Sequence, residues 1–258
     1  MVRSNLPEET VSFLKEYHDV IEKAGYKSYA EEIDEYIKEG SFGSGFTVRA
    51  DDGNLYVITN GHVVEEAGSV NLLYENEDGS YSEYKNLKIL ASDEDIDIAL
   101  IAVPQGFSRK ALSLNTKTVN DADEVWAAGF PSLNGKPMWQ LSRGTVTNNR
   151  ARIDELLSSD ISTLIQHSAD IDSGNSGGPL LVASSGSYSV VGINTWKAVS
   201  REGTNFAIPS KVIASFVSDT VSGRKKTVSI DERIEQFVDA LKDEDKDFTA
   251  KEAVSWKL

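Results

Sequence analysis

Between Ser41 and about Thr220, short runs rich in Val, Ile, Thr and Tyr alternate with clusters of Gly, Asn, Asp and Ser. The runs cover 45–48, 55–59, 70–74, 87–90, 98–103, 124–128, 140–147, 163–168, 180–183, 190–194 and 205–208. Short strands at this spacing predict antiparallel barrels or a sandwich, not a βαβ layout. Asp52-Gly53 and Asp78-Gly79 stand where hairpin turns belong.

The flanks follow a different period. In 7–39, Pro7 with Glu8 and Glu9 makes a good first helical turn, and Leu14, Tyr17 and Ile21 recur at helical spacing until Gly25. Ser28-Tyr-Ala-Glu31 has a capping-box pattern, followed by Ile33, Tyr36 and Ile37 on the face of Tyr29. The expectation is an α-hairpin packed on the main domain. After Pro209, Ser210 is expected to cap a helix whose Val212, Ile213, Phe216 and Val217 form a core stripe. A basic loop follows at 223–226, then a second capping box, Ser229-Ile-Asp-Glu232, with Ile234, Phe237, Val238 and Leu241 at helical spacing. Phe248, Val254, Trp256 and Leu258 read as a packing strip. These patterns divide the chain into a helical N-terminal extension (1–40), a β domain (41–220) and a helical C-terminal extension (221–258).

Composition narrows the function. With 258 residues, 40% hydrophobic and 26% charged, the chain has the make-up of a soluble globular protein. A net charge of −15 repels phosphate backbones and argues against a nucleic-acid partner. The absence of cysteine excludes disulfides, a thiolate nucleophile and Cys-type zinc sites. Three scattered histidines without a His-Glu-x-x-His pattern predict neither a metal site nor a cofactor. No apolar run is long enough to span a bilayer, and Met1 to Leu6 lacks the apolar centre of a signal peptide.

The chemically informative segment is Asp172-Ser-Gly-Asn-Ser-Gly-Gly-Pro179, between two predicted strands. A nucleophilic serine needs an exposed oxygen and backbone N–H groups aimed at the developing oxyanion. Gly174 lets its own N–H and that of Ser176 point into one hollow, while Gly177 and Gly178 leave room for a substrate chain. The base must be one of His18, His62 and His167. His18 belongs to the predicted N-terminal helix, and His167 lies on the strand leading to the Ser loop, where it reads as a wall residue. His62 remains, held where the apolar strand ends at Asn60-Gly61. Asp93, Glu94, Asp95 and Asp97 are candidates to fix the tautomer of the imidazole. Asp97 adjoins the apolar run 98–103 and is the one most readily carried inside, where a carboxylate needs a partner.

Thr59-Asn-Gly-His-Val63, Asp97-Ile-Ala-Leu100 and Gly174-Asn-Ser-Gly-Gly-Pro-Leu180, in that order, resemble the HtrA/DegP family of trypsin-like serine proteases. Ser44-Gly-Phe46, Ala128-Gly-Phe-Pro131, Arg143-Gly-Thr-Val146, Val191-Gly-Ile-Asn-Thr195 and Asn205-Phe-Ala-Ile-Pro-Ser210 extend the match. The resemblance implies two antiparallel six-stranded β-barrels, with His62 and Asp97 on the first and Ser176 on the second. It implies a serine endopeptidase acting on protein or peptide substrates, with Gly174 and Ser176 as the oxyanion hole. It also implies substrate binding by the strand Ile193, Asn194 and Thr195, with Phe206 near the S1 pocket, and a periplasmic or secreted location. An alternative on the same fold is a latent or chaperone-like protein-binding module.

Departures from the family pattern qualify the resemblance. About 40 residues follow Thr220, too few for a PDZ domain. The family forms homo-oligomers, usually trimers, but the helical N-terminal segment is unlike its short trimerising segment. Asp170, six residues before Ser176, stands where trypsin itself carries the carboxylate at the base of S1. Pointing inward it would select Lys or Arg at P1; turned outward it leaves a small aliphatic pocket.

Overall fold

The computed structural model describes residues 1–224 except Glu66, Glu77, Asn134, Gly135, Ser185, Val199, Ser200 and Glu202. The helix expected after Ser229 and the Phe248–Leu258 strip lie outside the described residues.

Six strands of the C-terminal half close on themselves. Pro179–Ser184 pairs with Glu124–Gly129, which continues through Gln140–Ala151, Leu164–His167 and Asn205–Pro209 to Ser187–Lys197. Ser187–Lys197 then pairs back onto Pro179–Ser184 and seals the barrel. Its interior is filled by Val125, Ala127, Val146, Ile165, Leu180 and Ala207. Gly144 has no room for a side chain, because a Cβ there would run into the backbone of Ala169.

The N-terminal half consists of two four-stranded sheets. In one, Phe46–Arg49, Leu55–Thr59, Ile98–Ala102 and Ile89–Asp93 are neighbours in that order; in the other, Phe42–Gly43, Val2–Asn5, Ser69–Glu75 and Tyr81–Leu87. Val57, Ala99 and Ile101 from the first sheet pack with Val2, Val70 and Leu72 from the second. The strand Val2–Asn5 was not foreseen. With only one apolar residue in four it carries no periodic signal, and it forms by completing a sheet between Phe42–Gly43 and Ser69–Glu75.

Helix α1 (Glu8–Lys23) and helix α2 (Lys27–Glu39) follow that strand. Glu8 and Glu9 sit in the first turn of α1 and Lys23 in its last, each favourable to the helix dipole. Ser28 does not cap α2, which begins one residue earlier. Helix α3 (Ser210–Val221) buries the expected stripe, Val212, Ile213, Phe216 and Val217, against Leu164, Ile193 and Ile208 of the barrel and Ile98 and Leu100 of the N-terminal half. This largest core cluster joins the halves. Ser210 does not cap α3 either, because its hydroxyl donates to the Asn115 carbonyl. Among the described residues no helix is long and apolar enough to cross a membrane.

Candidate active site

Strand register explains how His62 and Asp97 meet. Leu55–Thr59 runs antiparallel to Ile98–Ala102 with Thr59 opposite Ala99, so the residues just past one strand end lie beside those just before the other. The Asn60 side chain ties the junction by donating to the Asp97 carbonyl at 2.8 Å. Asp97 adopts a left-handed backbone (φ 50°), a conformation that Asp tolerates better than most residues. Gly61 keeps the gap narrow: a Cβ there would come within 3.3 Å of Asp97 Oδ1.

The Asp97 carboxylate is closely held. Oδ1 accepts from the His62 backbone N–H at 2.9 Å, His62 Nδ1 lies 3.0 Å from both carboxylate oxygens, and Oδ2 accepts from the Thr195 hydroxyl. This arrangement assigns the Nδ1 proton to the Asp97 side and leaves Nε2 as the basic nitrogen. Burial alone would lower the imidazole pKa. The bond to Asp97, its charge and that of Glu65 outweigh burial, and the pKa lies above its ordinary value. Of the four candidate carboxylates, only Asp97 is brought onto the ring.

The Ser loop shows a complete backbone accounting. In the peptide units from Ser173 to Gly177, every carbonyl is bonded: Ser173 O by Ser132 N, Gly174 O by Ser44 Oγ, Asn175 O by Gly178 N and Ser176 O by Ser44 N. The Asn175 amide donates to Asp172 O and the Gly177 amide to Asn194 O, both at 2.9 Å. The amides of Gly174 and Ser176 donate to nothing among the described residues. A peptide's N–H points opposite its C=O, so anchoring Ser173 O and Asn175 O sets the direction of these two free donors. Gly174 and Gly177 have φ of +96° and +84°, which an L side chain rarely adopts.

The loop sits close to the His62 strand end. A Cβ on Gly177 would overlap Thr59 Oγ1, and one on Gly43 would lie 2.6 Å from the Val63 side chain and 2.9 Å from Ser176 O. Asn194 bonds the loop while its neighbour Thr195 bonds Asp97. No hydrogen bond joins His62 Nε2 to the half-buried Ser176 hydroxyl among the described residues.

The other expected site residues are placed as follows. Ile193 and Asn194 are fully buried: Ile193 pairs with both Pro179 and Ile208, and Asn194 spends its N–H and C=O on Gly178 and Gly177. They offer no open edge to a substrate, which corrects that expectation. Thr195 turns its hydroxyl to Asp97, a supporting role that the sequence did not single out. The exposed stretch is the next one, Trp196 and Lys197, beyond a register shift in the strand. Phe206 is buried in the main core with its ring 6.4 Å from Trp196. The Asp170 side chain is exposed, and its carbonyl accepts from the Ser142 hydroxyl. His18 lies on α1 near Asp19 and Asp34. His167 is sealed in the barrel wall with both ring nitrogens lacking hydrogen bonds of normal geometry, and burial pushes its pKa down to about 4.

Comparison with known proteins identifies the family of the chain. Residues 43–193 match the family described as trypsin-like peptidase domain. The magnetosome formation protease MamE of Magnetospirillum gryphiswaldense is 36% identical over 185 residues, covering 70% of this chain and 22% of that protein. The serine protease Do-like HtrB of Bacillus subtilis is 31% identical over 192 residues, covering 70% of this chain and 39% of that protein. The chain thus spans less than half the length of these relatives. Among solved structures, the serine endoprotease from Yersinia pestis superposes with a TM-score of 0.53 at 26% identity, covering 71% of this chain and 59% of that one. The chain belongs to the family of trypsin-like peptidase domains, and its protease domain is HtrA-like.

Proposed function

We propose that the protein is a serine endopeptidase in which Ser176 is the nucleophile, His62 the general base and Asp97 the residue that orients it. The observation that carries this reading is the pair of amides at Gly174 and Ser176, unengaged among the described residues although the other N–H and C=O groups of the peptide units from Ser173 to Gly177 are bonded. A latent loop would be expected to spend those donors internally. On this reading the N-terminal half is the second barrel of the fold and supplies His62 and Asp97.

The Ser176 oxygen attacks the substrate carbonyl carbon as its proton passes to His62 Nε2. The resulting oxyanion accepts from the Gly174 and Ser176 amides. Collapse of the tetrahedral intermediate breaks the C–N bond, and the imidazolium returns the proton to the leaving amine. Water then repeats the sequence on the acyl-enzyme. Asp97 stabilises the imidazolium while both of its oxygens keep their donors. The missing Ser–His hydrogen bond is compatible with this, because such bonds commonly tighten only when substrate binds.

Substrate is expected to meet Trp196 and Lys197 and not the buried Ile193 and Asn194. With Asp170 turned to solvent, the outward reading of that residue is favoured, and with it a small aliphatic S1 pocket. Relatives named as periplasmic DegP-like endoproteases, such as that of Chlamydia trachomatis at 32% identity, support a location outside the cytoplasm.

Ser176→Ala is expected to fold as the parent does and to lose at least about 10⁴-fold in turnover. Digestion of casein and of a peptide library by both proteins checks this; equal cleavage would refute the assignment.

A further inference from the structure

Ser44 has no part in the chemistry described above, yet it holds the Ser loop at two points. It lies between Phe42–Gly43 and Phe46–Arg49 and is 1% exposed. All its polar groups are used. Its amide donates to Ser176 O at 2.8 Å, and its carbonyl accepts from the Thr59 hydroxyl at 2.7 Å. Its hydroxyl donates to Gly174 O at 2.7 Å and accepts from the Phe130 amide at 2.8 Å. Neighbouring glycines leave the residue little slack: a Cβ on Gly129 would come within 2.7 Å of the hydroxyl, and one on Gly178 within 3.1 Å of Ser44 Cβ.

The Gly174 carbonyl has a particular need of this support. A glycine at φ +96° has no side chain to restrict its two backbone rotations, so an external bond must hold its peptide planes. The plane before Gly174 carries the free amide, and the plane after it carries the carbonyl that Ser44 grips. Rotation about the Gly174 Cα couples the two planes. With the hydroxyl removed, the carbonyl loses its partner and the amide loses one constraint on its aim.

We infer that Ser44 is a positioning residue for catalysis: its hydroxyl, linking Phe130 N to Gly174 O, keeps the Gly174 amide directed at the site where the oxyanion forms. This rests on the serine endopeptidase reading and adds a residue from outside the triad and the Ser loop. The hydroxyl should matter more to the tetrahedral state than to bound substrate, because the oxyanion exists only in the former.

The test uses the full chain with Ser44→Ala, a chromogenic peptide substrate, active-site titration, and a peptide boronic acid that forms a tetrahedral adduct on the serine. Per titrated site, kcat is expected to fall about 10- to 100-fold with KM changed less than about twofold, a loss in the range for a misplaced catalytic group. Boronate affinity should weaken by the same factor as kcat/KM. A merely structural role would lower the titratable fraction or the melting temperature and leave kcat per site and boronate affinity intact; that result overturns the proposal. If Ser44→Ala does not fold, Ser44→Cys, of similar shape but a weak donor, is read by the same criteria. A wild-type chain that neither cleaves nor binds the boronate overturns the endopeptidase reading and this inference with it. An active wild type matched by an equally active Ser44 variant overturns this inference alone.

Discussion

His62 and His167 belong to the same β-rich domain and are surrounded in opposite ways. His62 stands past a strand end with 47% of its side chain exposed, one nitrogen on a carboxylate and the other without a hydrogen bond among the described residues. His167 stands in a strand of the closed barrel, fully buried, beside the Asn194 carboxamide and the Ala169 backbone. The first has its pKa raised by Asp97 and Glu65 against the effect of burial; the second has its pKa driven down to about 4 by burial. Residue type therefore does not decide which histidine can act as a base. Access and a charged partner do, and both are set at the strand ends and not within the barrel wall.

The sharpest way to break this contrast is to remove each ring in turn. His62→Ala is expected to lower kcat by on the order of 10⁵-fold or more while moving the melting temperature little, because a half-exposed ring contributes little packing. His167→Ala should do the reverse, costing about 2–4 kcal/mol of stability through the cavity it leaves, with kcat per titrated site retained within about tenfold. Steady-state kinetics and thermal melts on both variants decide the matter. A crossed result, with activity lost at 167 and stability lost at 62, would mean that the roles are misassigned.

Asp97→Asn tests the partner in place of the ring. An amide there can present its NH2 to His62 Nδ1 and favour the wrong tautomer, so kcat is expected to fall by on the order of 10⁴-fold. The pH profile carries a second signature. On the proposed mechanism His62 must be neutral to act as the base, and its raised pKa places the acid limb of kcat/KM above the ordinary histidine value of 6.5. Without the Asp97 charge the residual limb should move to lower pH. An unmoved limb would show that the titration belongs to another group.

Much of this contrast was legible in the chain, and what was not has definite physical causes. The contact between His62 and Asp97 follows from two apolar runs, each ending beside a polar residue. Once paired with Thr59 opposite Ala99, they leave little choice of carboxylate. The alternation of short apolar runs likewise predicts antiparallel barrels or a sandwich, and one closed six-stranded barrel is present. Whether a strand edge is open cannot be read from the strand itself. Ile193 and Asn194 were expected to face substrate, but Pro179–Ser184 and Asn205–Pro209 take up their two sides. The hydroxyl of Ser44 meets Gly174 across 130 positions, and no local spacing encodes such a contact. Ser210 looked like a cap because capping is a local habit of serine, and a carbonyl from a distant loop claimed its hydroxyl instead.

The smallest effect is also the most specific to the buried ring. Below pH 6.5 the unfolded chain protonates at His167, whereas the folded chain resists protonation until about pH 4. The unfolded state therefore binds more protons across that interval, and stability falls as the pH falls through it. At about 1.4 kcal/mol for each pH unit, the loss approaches about 3 kcal/mol by pH 4. His62 contributes with the opposite sign: its raised folded-state pKa adds stability in acid that is lost as the pH rises past that pKa. The two must therefore be separated by substitution. His167→Gln removes one titration and keeps the other, so urea midpoints of this variant should decline less than those of the parent between pH 7 and 4.5. Parallel decline in the two proteins would show that the barrel interior accepts a charged imidazole, and the contrast between the two histidines would then reduce to the presence of Asp97.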